Sequence, residues 1–185
     1  MKTQAMLMSL TLLAASAAAS AADYIKPSDV KPYGEAPAIQ EKLVSSSATE
    51  KTYALILRTG DDVYTALNDF AVRHKVVAGR FTAIGAVRDV KVGWLDRKRK
   101  EYKIIAADQQ VEILALTGDV GVVNGTPAVH AHVVLSRDDG SVWGGHLMHA
   151  VTSPTVEVIF TTYSTPLPKM FDDESGMTLF NFQNR

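Results

Sequence analysis

Apolar residues alternate through KTYALILR. Tyr53, Leu55 and Leu57 mark one face and Ala54 and Ile56 the other, a pattern that predicts a well-buried strand. Thr59-Gly60-Asp61 then predicts a turn, with Asp61 as the N-cap of a following helix. In DVYTALNDFAVRHK the period changes from two to about 3.6. Val63, Leu67, Phe70, Ala71 and His74 share one stripe that would lie against a sheet. His74 falls at the end of that helix, where the backbone dipole favours positive charge.

Strand patterns return at Phe81–Ile84 and Val87–Leu95, separated by a break or bend at Gly85. They continue at Tyr102–Ile105, Val111–Thr117, Gly121–Val123, Val129–Ser136, Ser141–Met148 and Thr155–Phe160. One helix among about eight strands, without regular βαβ alternation, predicts an α+β domain. Its sheet should be largely antiparallel and mixed, of about seven or eight strands, with the main helix packed on it. The tail from Thr161 carries Pro166, Pro168 and DDESG before Leu179, Phe180 and Phe182. It is expected to return over an edge of the sheet.

The start of the chain breaks this pattern. Residues 1–22 combine a single positive charge at Lys2, a short alanine-rich apolar run and the small-x-small triplet Ala19-Ser20-Ala21. This is the form of a cleaved export signal, so a periplasmic or secreted location is expected. Residues 23–50 read as an extended leader interrupted by Pro27, Pro32 and Pro37, with SSS at 45–47 as a loop. Ile39 to Val44 fits one helical turn, and the leader is expected to be either disordered or laid on a neighbouring subunit. Residues 51–185 form the domain proper. No later stretch approaches the roughly 20 apolar residues of a membrane span, so no membrane association is expected once the signal is gone.

Composition narrows the chemistry. There is no cysteine, which excludes cysteine nucleophiles, Cys-ligated zinc and iron–sulfur clusters. The chain has 19 Lys+Arg and 20 Asp+Glu, and loss of Lys2 takes the net charge to about −2. That balance argues against general affinity for nucleic acid, and no nucleic-acid partner is expected. Arg97 to Lys100, flanked by Asp96 and Glu101, reads as a solvated hairpin connection.

Four of the five histidines lie between Ala128 and Ala150. VVLSRDDGSVW predicts a hairpin with Asp138-Asp139-Gly140 as a three-residue loop and Gly140 left-handed. That register sets Arg137 across from Ser141 and His132 across from His146. His130 lies two residues from His132 and shares its face. Three imidazoles on one face, about 5 Å apart, suit a divalent metal such as zinc, or iron or nickel. A bulge at Gly144-Gly145 or a two-residue turn would instead bring in His149 in place of His146. A metal-free polar pocket and plain structural roles remain the other readings of this face.

The remaining candidates are weaker. Glu112 and Glu157 each interrupt an apolar strand, as a buried acid, a partner of an imidazole or simply the wet face. Arg80 and Arg88 flank the Gly85 bend and could bind an anionic ligand. Gly118 to Gly125 is glycine-rich but lacks phosphate-loop and dinucleotide spacing, so it reads as a turn between short strands.

Several blocks together resemble the plant and prokaryote conserved domain family: YALILRTGDDVYTALNDFAVRHK, VEILALTGDVG, HAHVVLSRDDGSVWGGH and DDESGMTLF, spanning Lys51 to about Phe182. The resemblance implies a mixed α+β fold, assembly as a homotrimer, and a metal held by His130, His132 and His146 as in some prokaryotic members. It implies no particular enzymatic activity. The Arg-Gly-Arg-Pro core of the AT-hook that reads DNA in plant members is missing here. The reading is therefore an exported, trimeric, metal-binding domain, with a small ligand at a subunit boundary as a further possibility. A metal-assisted hydrolase or lyase and a metal-free association module stand as alternatives.

Overall fold

The computed structural model describes residues 23–182, and the export-signal region lies outside the described residues. In chain order the strands are β1 (Tyr24–Ile25), β2 (Gln40–Ser46) and β3 (Glu50–Arg58). The helix α1 (Val63–Arg73) follows, then β4 (Gly79–Asp96), β5 (Glu101–Ala107), β6 (Val111–Val123) and β7 (Thr126–Ser136). The long β8 (Val142–Tyr163) and the short β9 (Lys169–Asp172) and β10 (Met177–Phe180) complete the order. β1 to β8 make an eight-stranded sheet of order β1-β5-β4-β6-β7-β8-β3-β2, and β9 and β10 pair separately. All these pairings are antiparallel, and α1 is the main helix, so the α+β expectation is met.

β4 and β8 are long enough to serve three neighbours each. β4 pairs with β6 on one side and with β8 on the other, and β8 also pairs with β7 and β3. β4, β6, β7 and β8 thus form a closed circuit of neighbours, and the sheet curls around a core. Gly85 (φ +145°) marks the bend inside β4, where the register against β6 shifts by one residue. An added Cβ there would collide with the backbone of Thr155 and Val156, so the bend depends on glycine.

The core follows the two periodicities. Val63, Leu67, Phe70 and Ala71 of α1 are fully buried, as are Leu57, Phe81 and Phe160 from the strands. Phe160 centres an aromatic group, 4.6 Å from Phe70 and 5.2 Å from Phe81 between ring centroids. Burying each such side chain stabilises by about 1.5–3 kcal/mol before entropy is counted.

Three expectations change. The N-cap of α1 is Asp62, whose side chain accepts from Thr65 N at 2.7 Å. Asp61 instead accepts from Ala38 N and Arg58 N, both at 2.9 Å, and fastens the leader to the turn. The segment from Ile39 to Val44 is extended rather than helical, because β3 offers it an unpaired edge. The Gly118–Gly125 segment is strand as far as Val123, and only Asn124-Gly125 makes the turn into β7. β6 runs straight through Gly118, where an added Cβ would strike the His130 carbonyl and the Phe81 ring.

Both edge strands of the sheet, β1 and β2, come from the leader. The tail runs beside β6, with Val122 N donating to Leu167 O at 2.8 Å. No helix among the described residues is long and apolar enough to cross a membrane.

Candidate metal centre

The β7–β8 hairpin closes through the loop expected from its sequence. Arg137 N donates to Ser141 O, Gly140 N donates to Arg137 O, both at 3.0 Å, and Gly140 has φ +80°. Ladder counting from that turn places His132 directly opposite His146. Gly144 lets the strands approach, since an added Cβ would meet the Val133 carbonyl. No bulge intervenes between β7 and β8, so His146 rather than His149 completes the face.

The three rings converge. Centroid distances are 5.1 Å for His130–His132, 5.2 Å for His130–His146 and 5.6 Å for His132–His146. One nitrogen from each ring lies within 4.8 Å of the other two. His146 is buried, with the Tyr102 ring stacked on it at 4.7 Å, whereas His130 and His132 are open to solvent. Burial, then the charges of His130, His132 and Lys169, hold the His146 imidazole down to about 3. Burial and His130 also lower His132. Both rings are therefore neutral at neutral pH, the form that offers a lone pair to a cation. His146 Nδ1 is buried and has no hydrogen-bond partner among the described residues. Two neutral imidazoles, converging with a third on one face, fit a divalent ion.

A carboxylate stands behind the cluster. Asp119 faces His130 across the β6–β7 ladder, with Oδ2 3.5 Å from His130 Nδ1. Its other oxygen takes the buried Lys169 ammonium at 2.5 Å, and Lys169 Nζ also donates to Ala128 O at 3.3 Å. Burial pushes the Asp119 carboxyl up, but the bonds and charges of His130 and Lys169 outweigh it and hold it below its ordinary range. This is the arrangement that orients a ligating imidazole. Sequence reasoning missed both residues. Asp119 was hidden by reading its segment as a turn, and Lys169 lies 50 residues further along the chain.

The other candidates are elsewhere. Glu112 and Glu157 are exposed on the outer face of their strands. Arg80 donates to the Tyr163 hydroxyl and Arg88 pairs with Asp89, so they do not make a joint anion site. His74 is at the end of α1 as expected, 2.8 Å from Glu41. His149 Nδ1 is 2.7 Å from Asp62 Oδ2, and the ring stacks on Tyr33 at 4.5 Å.

Solved structures share this fold. A metal-containing protein from Archaeoglobus fulgidus is 30% identical, with TM-score 0.66 over 76% of this chain and 96% of that one. Two bacterial proteins, each called a "putative DNA-binding protein", also match. The one from Bacteroides thetaiotaomicron has 24% identity and TM-score 0.73 over 78% and 97% of the two chains. The one from Ralstonia eutropha has 25% identity and TM-score 0.64 over 70% and 90%. The expectation of no nucleic-acid partner is corrected on this ground. Net charge averages over the whole surface and is blind to a local basic patch, and Arg97 to Lys100 are exposed together on the β4–β5 turn.

No curated protein matches significantly. The model of the Plants and Prokaryotes Conserved (PCC) domain matches residues 44–164, which take in the helix, the closed circuit of strands and all three clustered histidines. On this match and the Archaeoglobus likeness, the chain belongs to the PCC domain family, the one its sequence blocks resemble.

Proposed function

We propose that this protein is an exported, trimeric PCC-domain protein that binds a divalent metal, zinc, through His130, His132 and His146. The observation that carries the reading is the convergence of one nitrogen from each of three imidazoles within 4.8 Å. Zinc–nitrogen bonds of about 2.0–2.1 Å in tetrahedral geometry separate ligand nitrogens by about 3.4 Å. A bound ion would supply Lewis acidity and an open coordination position. The chain's own part is to keep His132 and His146 neutral, to hold His130 through Asp119, and to shield His146 beneath Tyr102.

Export is supported by the form of residues 1–22. Trimer formation is supported by exposed apolar residues on the outer face of the sheet, with Ile84, Leu114 and Ile159 each more than half exposed.

Elemental analysis of protein purified without chelator tests the metal. About one equivalent of zinc is expected in the native chain and none in His132→Ala. A native protein that stays empty after zinc is added refutes the reading. Light scattering should give a mass three times that of one chain, and a monomer refutes the assembly.

Nucleic-acid association through Arg97 to Lys100 is a second reading, favoured by the exposure of that turn and the description of the Ralstonia relative. Duplex DNA retained at low salt, and released by Arg97→Glu with Lys98→Glu, would support it.

A further inference from the structure

Beside the histidine cluster a cleft of about 310 Å³ opens between the sheet, the leader and the tail. It has room for about ten water molecules at ~30 Å³ each. Its polar lining includes His130, His146, Lys169, Tyr64, Tyr102 and Asn68, and its apolar lining includes Val30, Phe171, Met177 and Leu179. None of the residues lining it is Asp or Glu.

The charge count at this end of the cleft is one-sided. Lys169 is neutralised by Asp119 at 2.5 Å. A divalent ion on three neutral imidazoles then adds two positive charges that no lining carboxylate offsets. The donors are poorly served as well. Among the described residues the Tyr102 hydroxyl reaches only the Met177 sulfur, at 3.7 Å, and a thioether is a weak acceptor. A phenol with an ordinary pKa near 10 is a proton donor at neutral pH, and a carboxylate is the stronger acceptor.

We propose that the cleft binds a small organic carboxylate. Its charged end lies between the His130–His146 side of the cluster and the Tyr102 hydroxyl, and its apolar body lies against Val30, Met177 and Leu179. The inference rests on the metal reading above and deepens it. A neutral ligand of the same shape would leave the ion's charge unbalanced and the Tyr102 proton without a good acceptor. Acetate, which has the charge without the body, would forgo the burial of apolar surface.

The test uses the native protein loaded with cobalt(II), whose visible absorption reports its ligands, and three probes: phenylacetate, phenylacetamide and acetate. Phenylacetate is expected to shift the cobalt spectrum and to bind at least about tenfold more tightly than either of the others. Tyr102→Phe, which keeps the ring stacked on His146, should weaken phenylacetate by about 3–10-fold, the worth of one hydrogen bond. Cobalt bound normally with phenylacetate silent, or no tighter than phenylacetamide, overturns the carboxylate inference alone. Failure of cobalt to bind overturns the metal reading, and this inference with it.

Discussion

His146 and His149 stand three residues apart on β8 and have opposite surroundings. His146 meets two further imidazoles and a stacked tyrosine. His149 meets Asp62, which also accepts from Thr65 N and Ala150 N and so ties the ring to the start of α1. Tyr33 of the leader covers its other side. A local shift in strand pairing separates the two. Gly93 faces His146 and Val92 faces Leu147, but Lys91 faces His149, which leaves Met148 as an extra residue in β8. A carboxylate fastens one histidine to the architecture, while the other keeps a lone pair available. Residue type alone does not distinguish a ligand from a fastener.

The sharpest break of this contrast is His146→Ala. It should lower zinc affinity, measured by competition with a chelator, by well over 100-fold, beyond the 10–100-fold typical of residues that only orient a ligand. His149→Gln should leave that affinity within about threefold. A loss of equal size in both variants would erase the distinction.

Asp62→Ala strikes the fastener. It removes a helix cap and strands Ala150 N, so urea unfolding should show a loss of about 3 kcal/mol. Zinc affinity of the folded fraction should be unchanged.

The same carboxylate sets an acid response. Burial raises the Asp62 carboxyl, but bonds from His149, Thr65 and Ala150 outweigh it and hold it below its ordinary 3.8. A carboxyl held lower in the fold stabilises at all pH values above 3.8, and that stability is lost as pH falls through the folded value. Melting temperature should therefore drop below about pH 4 in the native protein and drop less steeply in Asp62→Asn.

Gly144→Ala should cost about 1–3 kcal/mol, because its Cβ lands on the Val133 carbonyl at the ladder that sets His132 against His146. The smallest expected effect is Asp119→Asn, about tenfold in zinc affinity, since it keeps the His130 contact but removes the charge behind it.

Much was legible in the chain before folding. The alternation in β3, the stripe Val63-Leu67-Phe70-Ala71 and the three-residue loop at Gly140 all act over a few residues, so local pattern reaches them. The pairing of His132 with His146 was legible for the same reason: a hairpin is local, and its turn sets its register. Strand lengths were not. β4, β6 and β8 each run through a segment that reads as a break, because buried strands on both sides hold Gly85, Gly118 and Ser153-Pro154 in line.

By itself, the sequence determined the fold class, the helix and the face on which three imidazoles converge. Each of these depends on side-chain period or turn geometry between near neighbours. Only the tertiary structure decided that the leader supplies both sheet edges, that Asp62 rather than Asp61 caps α1, and that Lys169 and Asp119 stand behind His130. Those depend on contacts between segments far apart in the chain. Closing such long loops costs little more than closing short ones, so sequence separation says almost nothing about which distant partners meet.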